Sequence, residues 1–159
     1  MKNYVLLSLL FASNLAFGQS AVVEVSLNPA GGFKIKSTDV RGSAHHSGDT
    51  FDAKNIAVGL KDVTTGIELR DVHTKKHLEV TAFPEALLVS ATGKGGKGEG
   101  VIKIRGITKK IAGTYKVSGA NLVASFPLTL SDFKIDGIKY MGVGVDDEVK
   151  LTVTVPIKN

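Results

Sequence analysis

The segment EVKLTVTV, residues 148–155, alternates strictly between two kinds of side chain. Within it, every even position is Glu, Lys or Thr, and every odd position is Val or Leu. Since successive side chains of a strand point to opposite faces, one face is apolar and the other is polar. This pattern is typical of an antiparallel strand that covers a core on one side and meets water on the other. The segment therefore predicts an antiparallel β protein.

Further strands are indicated by alternating, β-branched stretches that Gly, Asn and Asp turns separate. The eight predicted strands are residues 22–27, 32–36, 55–63, 86–92, 101–105, 110–117, 121–135 and 148–155. Their even spacing over 159 residues, without a linker or an internal repeat, favours a single all-β domain. We predict an antiparallel eight-stranded barrel, and an immunoglobulin-like sandwich is the competing topology.

The segment GKGGKGEG, residues 93–100, fits the pattern G-x-G-x-x-G of dinucleotide-binding loops. Such a loop is followed by a helix whose N-terminal N–H groups bind the pyrophosphate. Here the next residues, VIKIR at 101–105, are β-branched and alternate, which predicts a strand. A P-loop is excluded too, because neither Gly-Lys pair is followed by Ser or Thr. We interpret the segment as the mobile loop of a β-hairpin.

The first 18 residues have the features of a secretory signal peptide. Lys2 supplies a positive charge, residues 5–12 form an apolar run, and Ala16 and Gly18 are small residues at the positions that determine cleavage. We predict a signal peptide at residues 1–18 and a mature, exported domain at residues 19–159. The chain has no cysteine, so we expect neither a lipid anchor on cysteine nor a disulfide bond.

The charge distribution bears on the partners of the protein. The chain has 20 Lys and Arg against 15 Asp and Glu, and the excess is spread along the sequence instead of forming a basic patch. We therefore expect no nucleic acid partner. The apolar run in the leader is too short to span a membrane stably, so we expect no stable membrane insertion. A homodimer is left open.

Residues 67–79, IELRDVHTKKHLE, interrupt the strand pattern. They do not alternate, they are rich in charge, and they favour helix. Pro84 limits how far such a helix can extend. We predict a short helical insert that caps an open end of the barrel or lies across the sheet.

The sequence does not indicate a catalytic or metal site. His73 and His77 are four residues apart, as two zinc ligands on one helical face would be. The zinc-protease motif places Glu directly after the first His, where this chain has Thr74. No G-x-S-x-G elbow is present, and Asp146 and Asp147 are explained by a turn before the last strand. We predict no catalytic residues, no metal and no cofactor, and we do not expect an enzyme.

Five short motifs resemble those of one family. TGIELRDVH at residues 65–73 is similar to the T-G-x-x-x-R-D-x-H segment of the YceI-like proteins, and IRGITK at 104–109 resembles their L-x-G-V-T-K strand end. The other motifs are HLEV with FPEA at 77–80 and 83–86, LSDFKI at 130–135 and DEV at 147–149. They follow in the order that the family has, and the resemblance covers residues 33–155.

This resemblance implies a lipocalin-like antiparallel barrel, a polyisoprenoid or related long-chain lipid as the ligand, and export to the bacterial periplasm. The chain departs from the family at Leu88, where an aromatic residue is expected, at Lys110, where a proline is expected, and at His77-Leu78, where a phenylalanine pair is common. These departures bear on which lipid is bound and leave the expected fold unchanged. The expected function is a periplasmic lipid carrier. The alternative is a non-lipid envelope interaction module whose barrel is packed solid.

The predicted lipid-binding residues come from the apolar faces of the strands and from the helical insert. Whether the apolar rows enclose a cavity or fill a core is open at this stage. Arg70 and His73 are three residues apart, so they share a helical face, and we place them at the mouth of the barrel. There Arg70 would either meet a lipid headgroup or pair with a carboxylate and pin the insert. The full set is Phe33, Phe83, Leu88, Ile102, Ile104, Phe126, Leu128, Leu130, Arg70 and His73.

Overall fold

The computed structural model describes residues 18–140 and 142–159. The signal peptide predicted for residues 1–18 lies outside these residues except for Gly18, so its cleavage stays a prediction. In the described part, none of the helices is long and apolar enough to cross a bilayer.

The described residues form twelve strands, one α-helix and one 3-10 helix. The α-helix lies between the fifth and sixth strands, in the segment where a helical insert was predicted. The elements are β1 (Ser20–Asn28), β2 (Gly32–Ser37), β3 (Val40–Arg41), β4 (Ala44–Ser47), β5 (Thr50–Gly59), α1 (Glu68–Leu78), β6 (Glu85–Lys94), β7 (Lys97–Ile104), β8 (Ile107–Ser118), β9 (Asn121–Thr129), the 3-10 helix (Leu130–Phe133), β10 (Lys139–Tyr140), β11 (Val143–Val145) and β12 (Glu148–Lys158).

Seven of these strands close a barrel. The hydrogen-bonded ring runs β12-β4-β5-β6-β7-β8-β9 and returns to β12. Its neighbours are antiparallel except β12 and β4, which pair in parallel over two residues. The predicted all-β barrel with one short helix is confirmed, but the predicted count of eight strands is not exact. The strands β3, β4, β10 and β11 are two to four residues long, which is too short for an alternating pattern to reveal them.

The barrel is closed differently at its two ends. At the end that carries the turn Gly95-Gly96, which we call the glycine end, β4 bridges β12 and β5. At the opposite end, which carries α1 and which we call the helix end, β1 pairs with β12, β2 pairs with β1, and β3 pairs with β5. Because the diameter of a barrel grows with the number of strands, the interior is wider at the helix end.

The inward-facing residues follow the predicted rows on β7 and β9, where Ile102, Phe126 and Leu128 are all buried. The row on β6 is changed by a bulge, because its register with β7 shifts between Leu88 and Ser90. Simple alternation would place Ser90 on the inner face with Leu88. The extra residue of the bulge turns Ser90 away, so that the next residue, Ala91, packs against the core.

The strand predicted for residues 121–135 ends earlier, at Thr129. The cause is the side chain of Asp147, which accepts hydrogen bonds from the backbone N–H of Ser131 at 2.8 Å and from its hydroxyl at 2.6 Å. A carboxylate that binds a free N–H in this way competes with the strand ladder and favours a turn. The chain therefore leaves the sheet and forms the 3-10 helix.

The glycine-rich segment at residues 93–100 is mostly strand. β6 continues to Lys94 and β7 begins at Lys97, so only Gly95 and Gly96 form the turn. Both have positive φ, 63° and 84°, as a two-residue type I′ hairpin turn requires. The predicted hairpin is confirmed, but its connection is a tight turn and not a long loop.

The walls of β8 and β9 separate toward the helix end. Their ladder joins Thr114–Ser118 to Asn121–Ser125, although β8 begins at Ile107 and β9 continues to Thr129. Arg105, in the turn between β7 and β8, donates hydrogen bonds to the carbonyl oxygens of Phe133 and Lys134 at 3.1 and 2.5 Å. Arg105 therefore joins β8 to the segment that follows β9, at the level where the two strands have no ladder.

Candidate functional site

The helix end of the barrel contains a chamber of about 720 Å³. Its lining is almost entirely aliphatic and aromatic side chains from the strands, and its polar members come mainly from α1. Such a cavity, apolar inside with few polar groups at one end, is the usual form of a small-molecule binding site. The chamber can therefore hold an apolar molecule.

The structure brings most of the predicted site residues to this chamber. Leu88 lines it from β6, Ile102 and Ile104 line it from β7, and Phe126 and Leu128 line it from β9. Phe33, Leu130, Arg70 and His73 also lie in its wall. Their role in binding a lipid stays a prediction, since their position alone is observed.

Phe83 lies elsewhere. It precedes Pro84 in the connection between α1 and β6, and its ring packs beside Gly106 in the turn between β7 and β8. It does not belong to the lining of the chamber. The reason is local: the chain has not yet entered β6 at this position, so alternation along that strand does not apply to Phe83.

A large part of the wall was not among the predicted site residues. β1 contributes Ala21, Val23, Val25 and Leu27, and the last strand contributes Val149, Leu151 and Val153. Both sets recur at every second position, so the alternation of these strands could have identified them. Ile138, Val143 and Val145 also line the chamber, from the segment between the 3-10 helix and β12, and their sequence has no comparable signal.

An aromatic cluster lies at the opposite, glycine end of the barrel, where Phe51 and Tyr115 line a separate cavity of about 70 Å³. The rings of His46 and Phe51 are stacked at 4.5 Å between centroids, and Tyr115 meets Phe51 edge to face at 5.4 Å. Gly93 makes room for this cluster, because a Cβ there would lie 2.5 Å from the ring of Tyr115. The chamber therefore ends inside the barrel and does not pass through it.

The helix α1 is held at the mouth of the chamber from both of its ends. Near its start, the carboxylate of Asp71 accepts hydrogen bonds from the backbone N–H and the hydroxyl of Thr65, at 2.6 and 2.5 Å, which hold the pKa of Asp71 below its usual value. After its last turn, Glu79 forms an ion pair with Arg105 at 2.9 Å. Between them, Thr74 is buried against the chamber.

Arg70 extends from α1 into the wall of the chamber. Its guanidinium carbon lies 4.3 Å from the centre of the Phe33 ring, a cation–π contact, and its Nη2 donates to the carbonyl oxygen of Thr65 at 2.9 Å. Its Nε is buried without a hydrogen-bond partner. Within residues 18–140 and 142–159, the ion pairs do not include Arg70. The contacts of Arg70 observed here are therefore with Phe33 and Thr65 and not with a carboxylate.

His73 and His77 both lie in the wall of the chamber, one helical turn apart. Partial burial lowers the pKa of His77, and its electrostatic interactions with His73, Lys76 and Arg105 lower it further. Both causes favour the neutral form of the His77 imidazole. In the described part of the chain, no set of three or more His, Asp or Glu side chains is placed to hold a metal ion.

Comparisons with known proteins agree with this geometry. A family model described as the YceI-like domain matches residues 12–157. The structure of BcnA from Burkholderia cenocepacia superposes with a TM-score of 0.64 at 15% identity, covering 85% of this chain and 94% of the other. A polyisoprenoid binding domain from Saccharophagus degradans, implicated in plant cell wall breakdown, gives a TM-score of 0.59 at 10% identity, covering 86% and 91%. A search of curated protein sequences finds no match. At these identities the two structures show a shared fold.

Proposed function

The chain belongs to the YceI-like family, and from this premise we propose that it is a carrier which holds a polyisoprenoid or a similar long-chain amphiphilic lipid in its chamber. The observation that carries the proposal is the chamber itself, about 720 Å³ with an apolar wall and one polar end. Each buried methylene contributes roughly 0.8 kcal/mol, so a long apolar chain binds tightly in such a space without polar contacts along its length. The polyisoprenoid binding domain that shares the fold supports the same class of ligand.

The competing function, an envelope interaction module with a solid-packed barrel, is not favoured. A solid barrel at the density of protein interiors leaves few voids larger than a water molecule. A chamber of about 720 Å³ exceeds such a void many times over. The binding role also needs no catalytic residue, so the proposal does not include an enzymatic activity.

The proposed place of action is the bacterial periplasm. The features of residues 1–18, a positive charge, an apolar run and small residues before the cleavage position, support export. The intact mass of the protein from a periplasmic extract tests this proposal together with the carrier function. A mass that corresponds to a chain beginning at Gln19, accompanied under native conditions by one apolar adduct, is the expected result. A chain that retains Met1 would contradict export, and a chain without an adduct after lipid loading would contradict the carrier.

We predict that the chamber limits the length of the ligand. If each non-hydrogen atom takes the ~30 Å³ of a water molecule, a volume of about 720 Å³ holds roughly 24 atoms, or about four to five isoprene units. In an equimolar mixture of prenols, native mass spectrometry measures the fraction of the protein that carries each prenol. This fraction should rise with the length of the prenol up to ~25 carbons and then level off, since further carbons stay in water. Equal occupancy at all lengths, or a rise that continues to the longest chain, would contradict the estimate.

We predict that Arg70 selects for an anionic headgroup. The guanidinium has no carboxylate partner among the described residues, so it is free to form charge-assisted hydrogen bonds, each contributing about 1.5–3 kcal/mol. Arg70→Ala should weaken the binding of geranylgeranyl phosphate at least tenfold and that of geranylgeraniol less than threefold, as measured by titration.

The matched control for Arg70 is Lys76→Ala, which removes an exposed cation on the same helix that does not line the chamber. It should leave the affinity for both ligands unchanged within about twofold. If Arg70→Ala weakens both ligands equally and also lowers the melting temperature, then Arg70 supports α1 through Phe33 and Thr65 and does not recognise the headgroup.

A further inference from the structure

Large apolar side chains are exposed chiefly around the mouth of the chamber. Among the described residues, five large hydrophobic side chains are exposed, and four of them, Ile67, Leu69, Val72 and Val143, lie at the helix end. We call these four residues the rim. Between 37% and 58% of the surface of each rim residue is accessible. The fifth, Val117, lies at the glycine end beside the turn that joins β8 to β9, and it is 51% accessible.

The rim is continuous with the interior of the chamber. Ile67, Leu69 and Val143 are each exposed and also line the chamber, so these three side chains connect the inside of the barrel with its outside. Val72 extends this surface outward, because residues three apart on a helix lie on the same side and Val72 follows Leu69 by three.

The charges beside the rim are of both signs. Glu68 and Lys76 are exposed on α1, and Lys139 lines the chamber next to Val143. An exposed apolar patch bordered by polar groups marks a surface that is covered by a partner or a membrane. Both signs border the rim while the exposed rim side chains themselves are apolar, so the contact that the rim offers is mainly apolar.

The chemistry of the ligand decides between a membrane and a protein. A long-chain lipid is held by a bilayer, and it can pass into the chamber without entering water only where apolar protein surface meets the acyl chains. The rim supplies that surface, because the same side chains line the chamber and are exposed outside it. We propose that the rim inserts into the surface of a lipid bilayer and seats the mouth of the chamber on it. This proposal rests on the proposed lipid-carrying function.

The test is flotation of the mature chain with phosphatidylcholine vesicles. The wild-type protein should float with the vesicles, and raising the salt from about 0.05 to about 0.5 M should change the bound fraction less than twofold, because screening acts on charge attraction and not on apolar insertion. Val72→Glu should reduce binding to vesicles at least fivefold, since an exposed apolar contact is replaced by a charge. Leu69→Glu combined with Val72→Glu should reduce it further.

The matched control is Val117→Glu, which introduces the same charge at an equally exposed valine of the opposite end. It should float like the wild type. Val72 does not line the chamber, so Val72→Glu should still bind geranylgeraniol in solution with unchanged affinity. This measurement separates docking on the membrane from the carrier function.

Three results would overturn docking of the rim on a bilayer. They are a wild-type protein that binds geranylgeraniol in solution but does not float, a Val72→Glu variant that floats as well as Val117→Glu, and flotation that is lost at high salt. The first of these would leave the carrier function intact and would point to a protein as the partner of the rim. Failure to bind geranylgeraniol in solution would instead contradict the carrier function itself.

Discussion

Two tryptophans placed in the chamber should abolish the binding of a long prenol, with a loss of at least a hundredfold in affinity. Ala86 and Leu128 both line the chamber, from β6 and β9. Replacing them by tryptophan adds about 15 non-hydrogen atoms to a space that holds roughly 24, so fewer than about two isoprene units remain accommodated. Because each excluded methylene contributes roughly 0.8 kcal/mol, the loss of a hundredfold is a lower bound. Titration with geranylgeraniol measures it.

The same double variant distinguishes a hollow barrel from a solid one. Extra atoms forced into a packed core typically destabilise a protein by about 1–3 kcal/mol per site, whereas atoms that enter an empty chamber do not strain the wall. Ala86→Trp/Leu128→Trp should therefore keep its cooperative unfolding transition within about 1 kcal/mol of the wild type. Thr108→Trp, on the exposed outer face of β8, is the control and should change neither stability nor binding. A double variant that still binds geranylgeraniol would place the ligand outside the chamber.

Leu128→Trp alone should shorten the preferred ligand and not abolish its binding. It adds about six non-hydrogen atoms, roughly a quarter of the capacity of the chamber. The length at which occupancy levels off in the mixture of prenols should therefore fall by about one isoprene unit. An unchanged length would show that the chain of the ligand does not pass beside Leu128.

Phe133→Ala should cause the largest loss of stability, about 3–5 kcal/mol in the free energy of unfolding. Phe133 is only 2% exposed and is among the largest fully buried side chains of the described residues. It lies in the 3-10 helix, its carbonyl oxygen accepts a hydrogen bond from Arg105, and the adjoining walls of β8 and β9 have no ladder at this level. Phe133 also lines the chamber, so its removal withdraws a fully buried ring from the wall at a level where β8 and β9 have no ladder. The midpoint of urea unfolding measures the effect.

The control for Phe133 is Phe33→Ala, which removes the same ring from the half-buried side of the chamber mouth. Because the Phe33 ring is only half-buried, less apolar surface is lost from the core, so the cost should be near 1 kcal/mol, and the contact with Arg70 should be lost. Equal destabilisation by the two variants would show that Phe133 contributes no more to the free energy of unfolding than Phe33 does.

The inward rows were predictable because they depend only on neighbours along the chain. Alternation identifies which side of β7, β9 and β12 faces the core, and the buried residues Ile102, Leu128 and Val153 lie where it places them. The helical insert was recognisable for the same reason, since loss of alternation is also a local property. The bulge in β6 is where this reasoning fails. One extra residue moves every later side chain of the strand to the opposite face of the sheet, and the amino-acid composition does not reveal it.

The sequence by itself therefore determined an all-β fold, the apolar face of its strands and the helical insert. Only the tertiary structure decided that the strands close a barrel, that the insert lies at its mouth, and that the large chamber is at the helix end. The width of the barrel depends on which distant strands close it: β1 and β2 enter between β12 and β5 at the helix end, and β4 alone bridges them at the glycine end. The pairings of β12 with β1 and with β4 join residues more than a hundred positions apart, as Ala21 with Val153 and Ala44 with Ile157 do. The volume of the chamber follows from these strand pairings. Alternation determines the face to which a side chain points, but not its distance from the opposite wall of the barrel.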